Sequence, residues 1–383
     1  MNDSTRHAQQ ALEAVERVQR LYAAQRAACL AQPYPSADER LERLRALKRQ
    51  TQRYQDLLAE AMSADFGFRP AAESKMLDLL GSVLEANHAI SHLKRWMKPS
   101  KRSTELLFLG NSMKVLYQPK GVVGVIVPWN FPIYLAMGPL VTALAAGNRV
   151  MIKMSEVTPA TNAVFKTLLG EVFGEDLVAV VGEELVDPNV FTSLPFDHIV
   201  FTGSPQVGRI VMRTAAQNLT PVTLELGGKS PAVVTRHYPV ADAALRITHG
   251  KSVNCGQICI APDYALVPRE SVDQFVAEVQ AAFARSFGAK VEGHHDYTAI
   301  VNERQHARIV ALLDDARGNL SLTFCEIANE IDAARSIRGE QPAIVFWENV
   351  PGVLNTKDNA FGCFLAGLAG EDDPLIAPGG KWT

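Results

Sequence analysis

Short apolar runs alternate with amphipathic segments between residues 122 and 215, and this alternation constrains the fold more than any other feature. Such runs predict buried strands, and apolar residues at three- and four-residue steps predict helices. Strands joined by helices lie parallel, in a sheet that helices cover on both faces. The chain is therefore predicted to contain a doubly wound α/β domain. The predicted strands are Val122–Val127, Arg149–Lys153, Leu177–Val181 and His198–Thr202, and the predicted helices are Tyr134–Ala146, Pro159–Leu169 capped by Thr158, and Pro205–Ala215 capped by Ser204.

The segments before this domain are predicted to be helical and then extended. Ser36 and Glu39 form a capping-box pattern, which predicts the start of a helix. Ala72–Trp96 is predicted to be a further helical stretch. Leu106–Leu109 and Met113–Tyr117 flank a Gly-Asn-Ser turn, which predicts a hairpin. This hairpin is either an arm that joins subunits or an edge of the same sheet.

The composition limits the partners and the location that can be expected. A chain of 383 residues suggests two domains. The net charge of −3 offers no basic surface for nucleic acid or for an anionic membrane. The five cysteines are odd in number and scattered, which argues against a disulfide framework. The sequence has no apolar run of membrane-spanning length and its N-terminal segment is polar, so a cytoplasmic location is expected.

Polar residues follow several of the predicted strands, where ligands of doubly wound sheets bind. Asn130 stands between Pro128 and Pro132, which stiffen the loop. A rigidly held amide can donate a hydrogen bond to a developing oxyanion, although a well-formed turn explains the same motif. Lys153 and Glu156 can hold the hydroxyls of a ribose, and the carboxylate would favour NAD over NADP. An ordinary surface ion pair is the alternative.

Two further motifs have both a catalytic or binding interpretation and a plain structural one. Gly203 and Ser204 precede a helix start that could bind a pyrophosphate, with Gly208 one turn later, but many helices start this way. Glu225 lies between two leucines, where burial would raise its pKa and make it a suitable general base. Many glutamates in such positions form salt bridges instead.

Cys255 and Cys259 lie four residues apart before an apolar strand, Tyr264–Val267. A cysteine behind a Gly-Gln pair resembles a nucleophile on a loop. Two such cysteines are also compatible with a metal pair, an oxidisable pair or simple filling of the core. No second ligand pair follows at zinc-finger spacing, so no metal is expected.

These motifs together resemble the aldehyde dehydrogenase superfamily in order and spacing, over residues 36 to 317. The match is most similar to the class-3-like branch, including members that act on coniferyl aldehyde. The resemblance implies a Rossmann-type NAD-binding domain, a second α/β catalytic domain and a possible homodimer. The NAD-binding domain would comprise residues 1–100 and 120–226, the hairpin arm 101–119 and the catalytic domain 227–318. The motifs that carry it are Pro128–Pro132, Lys153–Glu156, Gly203–Gly208, Glu225–Pro231 and Gly256–Cys259.

The resemblance also implies a role for each matched residue in the oxidation of a small-molecule aldehyde to the carboxylic acid, with NAD as cofactor. Cys259 would be the nucleophile that forms a thiohemiacetal and then a thioester, and Cys255 would be its non-catalytic neighbour. Asn130 and the backbone amide of Cys259 would hold the oxyanion, and Glu225 would activate the hydrolytic water. The cofactor contacts implied are Trp129 near the nicotinamide, Lys153 and Glu156 at the ribose, and Gly203, Ser204 and Gly208 at the pyrophosphate.

The resemblance fades after about residue 318. Asn359–Cys363 lacks the glutamate and the proline of the later family motif, so residues 319–383 are expected to form an atypical tail and the catalytic domain to be truncated. Three functional hypotheses follow. The chain is an active aldehyde dehydrogenase, or an inactive relative that at most binds a nucleotide or a partner, or a thiol esterase. The presence of Glu225 argues against an enzyme that passes its thioester to coenzyme A.

Overall fold

The computed structural model describes residues 3–108, 110–288, 290–315 and 343–346. The chain divides into two compact units, Met1–Gly227 and Gly228–Thr383, which are called the first and second unit below. The helices of the first unit are α1 (Asp3–Ala31), α2 (Ala37–Arg53), α3 (Gln55–Asp65), α4 (Ala71–Ser74), α5 (Gly81–Trp96), α6 (Tyr134–Ala146), α7 (Pro159–Gly170), α8 (Pro188–Thr192) and α9 (Pro205–Ala216). Its strands are β1 (Ser100–Arg102), β2 (Met113–Val115), β3 (Val122–Ile126), β4 (Arg149–Lys153), β5 (Val178–Val181), β6 (His198–Gly203) and β7 (Val222–Leu226).

Five strands of the first unit form a parallel sheet in the order β5-β4-β3-β6-β7. The chain builds outward from β3 through β4 to β5, then returns to the other side of β3 for β6 and β7. This reversal puts the topological switch point between β3 and β6, which is where such sheets bind ligands. The predicted doubly wound α/β fold is confirmed.

Helices cover both faces of this sheet, and the residues of each strand alternate between the faces. Val123 and Val150 belong to one hydrophobic cluster, to which α2, α3, α5, α6 and α7 contribute. Val122 and Met151 belong to a second cluster, to which α1, α8 and α9 contribute. The central strands are therefore buried on both sides, which is why they read as unbroken apolar runs.

The hairpin before the sheet is only partly as predicted. β2 pairs antiparallel with β1, which is polar, and the pair forms a two-stranded sheet apart from the parallel one. The predicted first strand, Leu106–Leu109, is wrong, because Leu106–Phe108 forms a 3-10 turn. Its backbone groups bond locally, since the Phe108 amide donates to the Glu105 carbonyl at 2.9 Å and the Phe108 carbonyl accepts from Asn111 at 3.0 Å. These groups are consequently not available to a strand ladder.

Helix starts are also partly as predicted. Ser36 and Glu39 form the predicted capping box of α2, and the Ser204 hydroxyl caps α9. Thr158 precedes α7, but its side chain makes no capping hydrogen bond. The acceptor is Asp65 at the end of α3, whose carboxylate oxygens accept from the amides of Ala160 at 2.9 Å and Thr161 at 2.8 Å. The cap prediction for Thr158 is therefore wrong.

The second unit has its own small sheet. The elements are β8 (Ser230–Val233), α10 (Val240–Ser252), β9 (Pro262–Pro268), α11 (Val272–Phe287), α12 (Glu303–Asp315) and β10 (Ala343–Phe346). β9 pairs in parallel with β8 and antiparallel with β10. Val234, Ala244, Val267 and Phe275 form the core between this sheet and helices α10 and α11. Apart from β10, the predicted tail 319–383 and the motif at 359–363 lie outside the described residues.

Replacing Asp65 by alanine is expected to lower the free energy of unfolding by roughly 1–2 kcal/mol, because two amides at the start of α7 lose their acceptor. Glu60 is an exposed carboxylate on the same helix, α3, and Glu60→Ala is the matched control. That control should change the free energy by less than about 0.5 kcal/mol. Urea denaturation of both variants measures the difference, and equal destabilisation would contradict the assigned cap.

Candidate active site

Four strands of the first unit end at the same edge of the sheet. Ile126 at the end of β3 is in register with Lys153 on β4 and Phe201 on β6. Gly203 at the end of β6 is in register with Leu226 on β7. The predicted residues of the first unit therefore lie either near the carboxyl ends of these strands or shortly after them.

Lys153 is buried at the end of β4, and its Nζ donates to the Met154 carbonyl at 2.7 Å. Burial lowers the pKa of its ammonium, and the carboxylates of Glu156, Glu184 and Glu183 oppose that shift. Glu156 is exposed in the turn that follows. A surface ion pair is therefore not an adequate description of this motif, because the Lys153 side chain is buried and the Glu156 side chain is exposed.

The start of α9 is closely packed on the sheet. A Cβ added to Gly208 would lie 3.0 Å from Leu226 Cδ2, and one added to Gly203 would lie 2.6 Å from Phe201 Cζ. The Ser204 hydroxyl accepts from the Val207 amide at 3.3 Å, and the Ser204 carbonyl accepts from Gly208. Because these amides are engaged and proline has no N–H, the helix start offers fewer amides to an anion than the sequence suggested.

Asn130 lies in the loop between β3 and α6, next to Trp129, and both side chains are half-buried. The Trp129 ring packs against Phe66, with 6.3 Å between centroids. The Asn130 carbonyl accepts a hydrogen bond from Nη1 of Arg69 at 3.3 Å. The backbone of this loop is therefore tied to a residue 61 positions earlier in the chain.

Arg69 bonds in turn to Asp78, and neither residue was singled out from the sequence. Nη2 of Arg69 lies 2.8 Å from Oδ2 of Asp78, and both side chains are fully buried. Burial raises the pKa of the Asp78 carboxyl, while the Arg69 guanidinium and two backbone amides lower it. The signal that could have identified Asp78 is a carboxylate among the apolar residues 76–80, on a helical stretch that includes a π-helical turn, Lys75–Leu80.

Glu225 lies on β7 in register with Thr202, and its side chain is exposed. The predicted burial of Glu225 between its leucine neighbours is wrong. Side chains alternate along a strand, so the half-buried Leu224 points towards the core and Glu225 does not. β7 is also the outer strand of the parallel sheet among the described residues. Water can therefore reach this carboxylate.

The cysteine loop of the second unit has an unusual backbone. After α10 ends, Asn254, Cys255 and Gly256 have φ angles of 49°, 53° and 71°, in the left-handed region. A residue with a side chain costs about 1–2 kcal/mol in that conformation. Cys259 follows in a turn that the Ala261 amide closes on the Ile258 carbonyl at 3.2 Å, and its side chain is exposed.

Gln257 ties this loop to the segment before α12, and sequence reasoning assigned it no role. Its Nε2 donates to the carbonyls of Asn254 at 2.9 Å and Ala299 at 3.1 Å. Its Oε1 accepts from the Val301 amide at 3.1 Å. The side-chain amide thus acts as an extra peptide group between two backbone segments, and it holds the loop two residues before Cys259.

Gly228 holds the other side of the loop. Its amide donates to the Cys259 carbonyl at 3.1 Å, and an added Cβ would lie 2.8 Å from that same oxygen. The Gly-Gly motif therefore contributes a close backbone approach to the cysteine. Gly227, by contrast, has no atom within 4 Å of an added Cβ.

The residues predicted to act together are divided between the two units. Asn130, Glu225 and the cofactor residues belong to the first unit, and Cys259 belongs to the second. Cys255 is half-buried and carries no assigned chemistry. Among the described residues, the group of side chains close enough to share a metal ion is His294, His295 and Asp296, which includes neither cysteine. None of the helices among these residues is both long enough and apolar enough to span a bilayer.

The first unit is thus a doubly wound α/β domain whose polar residues gather at the ligand-binding edge, and the second unit presents an exposed cysteine beside a small sheet. The family model described as "Aldehyde dehydrogenase family" matches residues 3–333. The chain belongs to the aldehyde dehydrogenase family.

Individual relatives agree with the resemblance noted from the motifs. The chain is 51% identical over 309 residues to a probable coniferyl aldehyde dehydrogenase of Pseudomonas aeruginosa, covering 81% of this chain and 65% of the relative. It is 46% identical over 263 residues to a coniferyl aldehyde dehydrogenase of Pseudomonas sp., covering 68% of this chain and 54% of the relative. The chain therefore spans less than two thirds of the length of these relatives.

A solved structure supports the fold. The crystal structure of a Mycobacterium tuberculosis aldehyde dehydrogenase complexed with NAD+ matches with a TM-score of 0.69 and 29% identity. The match covers 79% of this chain and 62% of that one. The predicted aldehyde dehydrogenase-like fold is confirmed.

Gly228→Ala is expected to destabilise the cysteine loop, whereas Gly227→Ala should be nearly neutral. A methyl group 2.8 Å from a backbone oxygen forces the loop to move, and such overpacking costs about 1–3 kcal/mol. Thermal unfolding measures the loss, and the alkylation rate of Cys259 by iodoacetamide reports the loop itself. Equal midpoints and equal alkylation rates for the two variants would refute the close approach.

Proposed function

We propose that this chain carries out, or contributes the nucleophile and cofactor residues to, the NAD-dependent oxidation of an aldehyde to a carboxylic acid. The substrate class is an aromatic aldehyde such as coniferyl aldehyde. The observation that carries the proposal is the gathering of Asn130, Lys153, Ser204 and Glu225 at one carboxyl edge, in a chain 51% identical to a probable coniferyl aldehyde dehydrogenase.

The polar groups at this edge fit a dinucleotide. Lys153 supplies a buried cation and Glu156 an exposed carboxylate at the end of β4, which suit the hydroxyls of the adenosine ribose. Ser204 and the tightly packed start of α9, with Gly203 and Gly208, suit a pyrophosphate. The Glu156 carboxylate would repel a 2′-phosphate, so NAD is proposed over NADP. Trp129 would line the nicotinamide end.

The proposed chemistry begins at Cys259. Its thiolate adds to the aldehyde carbon, and the Asn130 side-chain amide and the Cys259 backbone N–H hold the resulting oxyanion. The chemistry that bound NAD+ supplies is acceptance of a hydride from this adduct, which leaves a thioester on Cys259. Glu225 then takes a proton from the water that hydrolyses the thioester. Its exposure on β7 supports this role, because the attacking water must reach it.

The domain roles, location and assembly are part of the same proposal. Residues 1–100 and 120–226 would bind NAD, and residues 227–318 would form the catalytic domain. Residues 101–119 would form an arm of a homodimer, which the exposed Leu106, Leu107 and Tyr117 support. The five cysteines are odd in number and scattered along the chain, which supports a reducing, cytoplasmic location.

The Cys259→Ala variant tests the proposed activity, with Cys255→Ala as a matched control. NADH formation from coniferyl aldehyde is expected to fall at least about a thousandfold in Cys259→Ala, because the nucleophile is lost. Cys255→Ala should stay within about threefold of the wild type, since Cys255 has no part in the proposed chemistry. Absorbance at 340 nm measures both.

Two results would overturn the proposal, each in favour of another function. A wild-type chain that binds NAD+ tightly but forms no NADH would indicate a nucleotide-binding relative without oxidation. Cleavage of p-nitrophenyl acetate that needs Cys259 but no NAD+, without aldehyde oxidation, would indicate a thiol esterase.

The Lys153→Met variant separates cofactor binding from folding. Burial lowers the pKa of Lys153 in the folded chain, so the unfolded chain binds this proton more tightly. The buried charge is therefore a cost at pH 7, and Lys153→Met should unfold with an equal or higher free energy. That advantage should shrink as the pH rises towards 10, where the unfolded chain also loses the proton.

The NAD+ dissociation constant of Lys153→Met should rise about tenfold or more, since a charge-assisted bond is worth about 1.5–3 kcal/mol.

Urea denaturation at pH 7 and pH 10 measures the first effect, and a fluorescence titration with NAD+ measures the second. Lys166→Met is the control, because Lys166 is a half-exposed lysine on α7, 3.7 Å from Glu184. It should leave NAD+ affinity unchanged. Unaltered NAD+ affinity in Lys153→Met would exclude Lys153 from the cofactor site.

A further inference from the structure

A fully buried ion pair lies beneath the loop that carries Asn130. Nη2 of Arg69 and Oδ2 of Asp78 are 2.8 Å apart, and neither side chain is exposed. The Arg69 guanidinium also lies over two aromatic rings, 5.1 Å from the centroid of Phe66 and 5.0 Å from that of Phe131. Phe131 directly follows Asn130, so the cation is held between α3 and the loop.

Both members of the pair also bond to the backbone of this loop. Nη1 of Arg69 donates to the Asn130 carbonyl at 3.3 Å. Oδ1 of Asp78 accepts from the amides of Ile133 at 3.1 Å and Tyr134 at 3.0 Å, where α6 begins. One carboxylate therefore fixes the end of the loop and one guanidinium fixes its middle, at the residue whose side chain is the proposed oxyanion donor.

Stability alone does not account for this arrangement. Removing two charges from water costs several kcal/mol per ion, and an apolar replacement of a buried pair is often neutral or stabilising. The prolines at 128 and 132 restrict the dihedral angles of the loop. Arg69 and Asp78 add hydrogen bonds that tie the backbone of the loop to an earlier part of the chain.

We propose that Arg69 and Asp78 are positioning residues, which fix the backbone of Asn130 so that its side-chain amide is held where the oxyanion forms. This rests on the proposed function, in which Asn130 is the oxyanion donor. A displacement of about 1 Å in such a group can cost about a hundredfold in rate. The guanidinium is suited to the task because its rigid fork bonds Asp78 and Asn130 at once, whereas a lysine ammonium is a single point charge.

The first experiment needs no turnover. In the wild-type chain, hydrogen–deuterium exchange at the Ile133 and Tyr134 amides should be as slow as at the amides of β3. In Asp78→Asn, which keeps the shape of the side chain but loses its charge, these two amides should exchange at least about tenfold faster. Fast exchange in the wild type, or unchanged exchange in the variant, would overturn the positioning role.

The second experiment compares Arg69→Lys with a matched control at the other end of β3. Arg26 pairs with Asp197 at 2.8 Å, and the Asp197 carboxylate accepts from the Val122 amide, the first residue of β3. Arg69→Lys should lower kcat for aldehyde oxidation at least about tenfold per NAD+-binding molecule, with KM for NAD+ within twofold. Arg26→Lys should leave kcat within twofold. Normalising to NAD+-binding molecules removes any loss that is due only to unfolded protein.

The outcomes separate this inference from the proposed function. A wild-type chain that forms no NADH refutes the proposed function, and the exchange rates at Ile133 and Tyr134 still decide whether the ion pair holds the loop. An Arg69→Lys variant with the wild-type kcat would show that the Arg69–Asp78 pair is only structural and would overturn the inference. An equal loss of kcat in Arg26→Lys would do the same.

Discussion

The parallel hydrogen-bonded ladder centred on β3 is the interaction on which the rest of the first unit depends. β3 pairs with β4 on one side and with β6 on the other, and all three strands are parallel. Parallel strands bring their carboxyl ends to one edge, so residues as distant in sequence as Asn130, Glu156 and Ser204 follow strands that end together. The apolar residues on both faces of the ladder stabilise it, and the polar residues of the proposed site lie near the carboxyl ends of the strands and in the segments that follow them.

Buried and half-buried carboxylates then set the positions of those loops. Asp65 caps α7, Asp78 holds the start of α6, and Asp197 binds the first amide of β3. In each case a carboxylate accepts from a backbone amide that the sheet and helices leave without a partner of their own. A buried amide without an acceptor would cost about 1–3 kcal/mol. These bonds therefore stabilise the fold, and they connect distant parts of the chain at places where the neighbouring secondary structure supplies no acceptor.

Hydrogen bonds between distant residues also fix the backbone around Cys259 in the second unit. Three successive left-handed residues turn the chain sharply after α10, and Gln257 and Gly228 hold the turn from two sides. Strained backbone persists when its surroundings over-determine it, and it is common at functional sites. The Cys259 side chain is exposed on a loop whose backbone is fixed, which supports its proposed role as the nucleophile.

The sequence by itself determined the strands and helices of the parallel sheet and two of the helix caps. The limits of β4 and α6 and the caps at Ser36 and Ser204 are all readable from neighbouring residues, because apolar periodicity and capping act over a few positions. Only the tertiary structure decided that Asp65 replaces Thr158 as a cap, that Asp78 is buried against Arg69, and that Glu225 is exposed. It also decided that β1, and not Leu106–Phe108, pairs with β2. These outcomes depend on strand order and on contacts between residues far apart in the chain, which no local pattern encodes.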